Sequence, residues 1–208
     1  MAEVEGFERP RTHARFWRTA STLAAVTITL ARQTPSTRIT VGAITRDAKI
    51  NRSTFYTHSA DPTSLLRRAM RAALDEDAVT TNTSEHVNGS RSIDHALCLA
   101  TNHVNQFREV YRTALSDDTA AASLFAGLTN FLAQQLGHAA ANSSTGSTAA
   151  LAAAISQLIK NALAGAHGRL DAAWIRAALH DTIAMLSPTP RSSTTPDHWR
   201  PHGQQPPR

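Results

Sequence analysis

Apolar residues in this 208-residue chain recur every three or four positions almost from end to end, and nowhere do they alternate with polar ones for the length of a strand. That period confines the chain to an all-α fold. Phe16, Ala20, Leu23, Leu30 and Ala31 mark a first helix over about Thr12 to Arg32. "QTPSTR" stops it, because a proline inside a hydroxyl cluster is a loop signal. Thr40 is placed to cap a short helix, Val41 to Ala48. After a corner at Lys49–Ile50, Asn51 is placed to cap another, Arg52 to His58. Asp61 and Pro62 open a fourth helix, since the first helical position needs no amide hydrogen. Leu65, Leu66, Ala69, Met70, Ala73 and Leu74 give it a continuous apolar stripe.

"TTNTSEHVNGSRS", Thr80 to Ser92, reads as a loop between lobes. Beyond it Ile93, Leu97, Ala100, Val104, Phe107, Tyr111 and Ala114 share one face of a single long helix. Asp117 or Asp118 caps the next, which carries Leu124, Phe125, Leu128, Phe131, Leu132 and Leu136. "ANSSTGST" separates that helix from a hairpin, Ala149–Ala166 and Asp171–Leu186, with Gly165 and Gly168 at the corner. From Ser187 onward proline, serine and threonine dominate. Such a segment buries too little surface to offset the entropy of ordering, so a disordered tail is expected. The expected division is a head at 1–60, a larger helical domain at 61–187 and a tail at 188–208.

The net charge of +5 is unevenly placed. Residues 1–72 hold 12 Lys+Arg against 5 Asp+Glu, residues 73–187 hold 6 against 10, and the tail holds 3 against 1. A basic first third on a mildly acidic body is the footprint of a nucleic-acid-binding head on a partner domain. No apolar run approaches bilayer length, so no membrane association is expected. The charged N-terminus lacks a signal peptide's apolar stretch, and Cys98 is the only cysteine. Both point to a cytoplasmic protein. There is no zinc spacing, no phosphate loop and no nucleophile with an evident base, so the reading is a non-enzyme with no cofactor and no metal. His95 and Cys98 stand three apart, but free cysteine is usually buried, and a packing role for Cys98 is preferred to a metal or redox one.

"VGAITRDAKINRSTFYTHS", Val41 to Ser59, is where function is concentrated. Two short helices joined by a tight corner and flanked by longer helices make a helix-turn-helix. Ile44, Ala48, Ile50 and Phe55 fall where the two short helices meet. Arg52, Ser53, Thr54, Tyr56, Thr57 and His58 are then left facing out, with hydrogen-bonding groups suited to phosphate oxygens and base edges.

The segment "ITVGAITRDAKINRSTFYTHSADPTSLL", Ile39 to Leu66, resembles the DNA-binding module of the TetR family of bacterial transcription regulators, above all in its "TFYxH" core and the capped helix that follows. The resemblance covers about the first seventy residues. It implies an N-terminal three-helix DNA-binding head and a larger helical lobe for ligand binding and dimerisation. It implies base contacts from Arg52, Ser53 and Thr57 and phosphate contacts from Thr54, Tyr56, His58 and Thr40. Three positions depart from the family pattern: Lys49 stands where glycine is usual at the corner, Ser59 replaces a phenylalanine, and Asp61–Pro62 replaces a lysine.

In the larger lobe His103, Phe107 and Tyr111, with Asn102 beside them, are the candidate lining of an effector cavity; a packed core is the competing reading. Leu151, Ile155 and Leu158, followed by Trp174, Ile175, Leu179 and Ile183, give the last two helices apolar stripes. In a monomer these close the core, and the resemblance makes them half of a four-helix dimer interface. The expected partners are therefore a palindromic double-stranded DNA operator, a second copy of the chain and a small-molecule effector, with repression as the expected sense. The alternative is a degenerate relative that binds ligand or protein but holds DNA weakly, a reading motivated by Lys49, Ser59 and Pro62.

Overall fold

The structure is a computed structural model that describes residues 9–84, 93–139, 145–165 and 168–186. The expected tail at 188–208 lies outside the described residues. Those described form nine α-helices and one short 3-10 turn, with no strand among them. The head comprises α1 (Arg9–Ala31), the 3-10 turn Ser36–Arg38, α2 (Val41–Ala48) and α3 (Arg52–His58). The lobe comprises α4 (Pro62–Ser84), α5 (Ile93–Gln106), α6 (Arg108–Ala114), α7 (Asp118–Ala139), α8 (Thr145–Ala164) and α9 (Ala172–Leu186).

The local chemistry explains the ends of most elements. Thr40 Oγ1 accepts the amide of Ala43 at 3.1 Å and so caps α2. Asp61 caps α4, accepting the Ser64 amide at 2.9 Å and the Ser64 hydroxyl at 2.7 Å. These bonds, the backbone one foremost, hold the Asp61 carboxyl below its usual range. Asp117, not Asp118, caps α7, through the Ala120 amide at 2.9 Å. Asn51 occupies the N-cap position of α3 but makes no side-chain capping bond.

Three boundaries differ from the expectations. α4 continues past Thr80 to Ser84, and the Thr80 hydroxyl donates to the Glu76 carbonyl at 2.9 Å within the helix, so the polar side chain does not break it. α8 begins at Thr145 and absorbs Gly146, Ser147 and Thr148. The long helix expected from Ile93 to Ala114 is two helices, broken at Phe107 with φ −106° and ψ 27°. The break follows Asn105, whose side-chain amide both donates to the Leu170 carbonyl (2.8 Å) and accepts from its amide (2.9 Å). A side chain committed in both directions to the α8–α9 connection fixes where α5 ends.

A single hydrophobic core runs from Leu23, Ile44 and Phe55 in the head through Leu97, Tyr111, Leu128 and Phe131 to Ile155 and Ile175. α4 joins the two parts by packing on α1 at one end and on α5 and α7 beyond it. Polar ties reinforce the joint: Thr113 Oγ1 donates to the Arg32 carbonyl at 2.7 Å, and Thr37 Oγ1 to Asp117 Oδ2 at 2.9 Å. Among the described residues no helix is long and apolar enough to cross a membrane.

Candidate nucleic-acid interface

The corner between α2 and α3 is tight enough to force Lys49 into the left-handed region, φ 55° and ψ 44°, the one non-glycine residue with positive φ among those described. Its amide bonds the Arg46 carbonyl at 3.2 Å and the next amide, of Ile50, bonds the Thr45 carbonyl at 3.0 Å. Two paired carbonyls end α2 cleanly and swing the chain into α3. Ile44 and Phe55 are both 0% exposed, and Ala48 and Ile50 pack partly buried beside them, as the spacing requires.

With Phe55 anchored, the rest of α3 divides by face. Arg52, Ser53 and Thr57 are exposed and Thr54 is half-buried. Tyr56 is 60% exposed and stands edge-on to Phe55, with ring centroids 5.5 Å apart. Thr40 is exposed at the start of α2. Arg52 lies across the first turn of α2. A Cβ on Gly42 would come within 3.1 Å of its Nη2, so the glycine makes room for the guanidinium. Sequence reasoning missed Gly42. Its signal is a helix-weakening residue in the first turn of a short helix, where a glycine needs a packing reason.

His58 corrects an expectation. It does not face out with the others but is only 8% exposed, stacked on Phe16 of α1 with ring centroids 4.3 Å apart. Burial and the nearby Arg68 guanidinium lower its pKa. The Arg68 side chain also donates to the His58 carbonyl, tying the end of α3 to α4. The physical reason is the Phe16 ring, which covers the imidazole from α1; Ser59, also buried, donates its hydroxyl to the Asp61 carbonyl at 3.0 Å. Of the N-terminal arginines, Arg15 and Arg18 are exposed on α1, and the side chains of Arg9 and Arg11 lie outside the described residues.

The lobe residues separate. His103, Phe107 and Tyr111 are all buried, with His103 4.8 Å from Phe107 and 5.9 Å from Tyr111 between ring centroids. Tyr111 in turn meets Phe125 at 5.4 Å. Burial pushes the His103 pKa down to about 3 and raises that of Tyr111. Among the described residues neither ring nitrogen of His103 has a hydrogen-bond partner, and Asp77 Oδ2 lies 4.0 Å from Nδ1. Asn102 does not join the rings. It is exposed and lines a polar cleft of about 600 Å³ with Asn105, Gln106, Arg108 and Arg169. Adjacent residues differ by about 100° around a helix, which is enough to send Asn102 out and His103 in.

Cys98 is exposed, against the preference for burial, on a neighbouring cleft with Thr101, Asn102 and Arg169. Among the described residues no group of three or more His, Cys, Asp or Glu gathers as a metal site.

The apolar stripes of α8 and α9 also need correction. Ile155, Ile175 and Leu179 are buried within the single chain, where they close its own core. Leu151 and Leu158 are half-buried, Trp174 is 38% exposed, and the Ile183 side chain lies outside the described residues. α8 turns outward chiefly small residues, Ala149, Ala150 and Ala153, with Gln157 and Asn161, whereas α9 exposes Ala173 and Ala177 together with Trp174, Arg176, His180, Asp181 and Thr182.

The described residues thus form an all-helical fold in which a helix-turn-helix is joined to a larger set of helices chiefly by α4. The solved structure of the dihydroxyacetone kinase operon activator DhaS is similar in fold, with a TM-score of 0.54 and 17% identity, covering 80% of this chain and 97% of that one. No family model matches the sequence, and no curated protein matches it either.

Proposed function

We propose that the protein is a TetR-family transcriptional regulator that binds a near-palindromic operator as a homodimer and releases it when a small effector enters the lobe. The observation that carries the reading is the division of α3: Phe55 is wholly buried while Arg52, Ser53, Tyr56 and Thr57 are presented on a helix short enough to enter a major groove. The basic excess of the first third and the fold likeness to an operon activator support it. In this reading Arg52, Ser53 and Thr57 face bases, Thr40, Thr54 and Tyr56 hold phosphates, and His58 acts behind them by fixing the end of α3.

One such helix reads few base pairs, so useful specificity needs two copies on a symmetric site. The outward alanine strip of α8, together with Ala173, Trp174 and Ala177 of α9, is the surface proposed for the second copy. Effector response follows from α4, which packs on the head and the lobe at once. A ligand that prefers one arrangement of the lobe biases the spacing of the two heads, a reciprocal coupling of about 1–3 kcal/mol. Asn102 belongs to the open polar cleft and the three rings to the core behind it. We propose the cleft as the first point of effector contact.

The test is competition on DNA flanking the protein's own gene. Specific binding should exceed binding to random sequence about a thousandfold, and Arg52→Ala should erase the preference. Equal competition by the two DNAs would replace this reading with the degenerate one, which Lys49 in its left-handed corner motivates. A reporter on the same promoter gives the sign: deleting the gene should raise output if the protein represses.

A further inference from the structure

A groove of about 310 Å³ runs between α1 and α4 on the head, away from the polar clefts of the lobe. Phe16 and Trp17 form one wall, edge to face with centroids 5.9 Å apart. Ala20, Ala24, Leu65, Ala69 and Ala72 make a floor of mostly small side chains, and His58 and Arg68 stand among them as the polar groups besides Ser21. Trp17 is 63% exposed, an unusual place for the largest side chain in a protein with few aromatics. A small-residue floor beneath two rings is a slot for something thin and apolar. Its volume lies at the small end of the range of about 300–1,000 Å³ found for small-molecule sites.

Charge narrows the occupant. Among the described residues no Asp or Glu lines the groove, Arg68 does, and Arg15 and Arg18 flank the ring pair on the exposed side of α1. Arg68 commits one nitrogen to the His58 carbonyl. A guanidinium carries five N–H donors in a planar fork, so a carboxylate has donors left to meet. We infer that this groove is a binding site for a small carboxylic acid with an apolar aryl or alkyl body, its body held between the Phe16–Trp17 wall and the alanine floor and its carboxylate on Arg68. The site is separate from the effector cleft of the lobe and does not depend on DNA binding.

Calorimetric titration of the full-length protein with 3-phenylpropionate, octanoate and the neutral 3-phenylpropionamide tests it without DNA, so its outcome is independent of the operator competition. Either acid should bind, and phenylpropionate should bind about tenfold more tightly than its amide, the scale of one charge-assisted hydrogen bond near a surface. Arg68→Gln should abolish that preference and Arg68→Lys keep most of it. Ala24→Leu, which fills the floor without touching Arg68, should abolish binding of acid and amide alike. Equal binding of acid and amide, binding that survives Ala24→Leu, or no heat from either acid at millimolar concentration would overturn the site. So would a change of oligomeric state on Trp17→Ser, which would assign the face to a second copy of the chain.

Discussion

Arg52 and Gly42 are in near contact across the two helices of the head: any Cβ on the glycine would stand 3.1 Å from the guanidinium Nη2. That distance is too tight to be left unrelaxed but can be relieved by moving the flexible arginine. Gly42→Ala should therefore stabilise the fold by about 0.5 kcal/mol, as alanine replaces glycine in a helix. At the same time it should weaken operator binding by about three- to tenfold, less than the 1–3 kcal/mol expected from losing a base-reading arginine outright. Thermal unfolding and a binding isotherm on one sample check both signs. A variant that gains stability and keeps full affinity would show that the position of Arg52 is immaterial to DNA.

Phe55 and Tyr56 make a second pair of opposites. Phe55→Ala removes a wholly buried ring and should cost about 3–5 kcal/mol, enough to unfold the head under mild denaturant. Tyr56→Ala, at a largely exposed position, should change stability by under about 0.5 kcal/mol and show its effect in DNA affinity instead. Urea midpoints for the two variants separate the roles.

This contrast also marks how far the sequence was legible. The two short helices, the Thr40 and Asp61 caps and the apolar meeting of Ile44 with Phe55 are local events, set by residues a few positions apart, and the sequence carries them openly. The position of His58 is not local. It depends on Phe16, more than forty positions away, whose ring stacks on the imidazole. Ile155, Ile175 and Leu179 show the same limit from another side. Periodicity says which face of a helix is apolar, but whether that face is covered by the same chain or by a second copy is a tertiary fact. The break at Phe107 was hidden because both helices keep their apolar residues in step across it.

The left-handed corner gives a prediction free of any functional assumption. A side chain at φ 55° costs about 1–2 kcal/mol relative to glycine, while glycine gives back about 0.4–1 kcal/mol in the unfolded chain. Lys49→Gly should therefore stabilise the protein by about 0.5–1 kcal/mol. Lys49→Val, β-branched at the same φ, should destabilise it relative to wild type. Chemical denaturation of the three proteins orders them.

His103 sets an acid limit on the fold. Burial lowers its pKa from the usual 6.5 to about 3, so the folded chain refuses a proton that the unfolded chain accepts. The stability this contributes is whole above pH 6.5 and is lost as the pH falls from there toward 3. Between pH 7 and pH 5 the loss should be about 2 kcal/mol. Asp77, 4.0 Å away, has a carboxyl pKa raised by burial and then by Glu76, and it acts in the opposite direction at lower pH. His103→Leu should reduce the slope between pH 7 and pH 5 while leaving the fold intact, and His58, whose pKa burial also lowers, keeps a part of it. Urea unfolding of both proteins at the two pH values measures the difference, and an unchanged slope in the variant would place the acid sensitivity elsewhere.

The assembly prediction turns on the difference between the inner and outer faces of α8. Ile155 is buried within the subunit and Ala153 lies on the outward strip. Ile155→Ala should lower the stability of the subunit by about 2–5 kcal/mol. Ala153→Arg adds a charge where a second copy is proposed to sit. Burying it there without a counter-charge is costly enough to break the association, while an arginine on an exposed helix face costs the subunit almost nothing. Sedimentation should therefore show a wild-type dimer and an Ala153→Arg monomer of unchanged helicity. The monomer should also lose most of its operator affinity, since a single head retains only its own half-site contacts. If Ala153→Arg remains dimeric, the second copy meets the chain on some face other than the outward strip of α8.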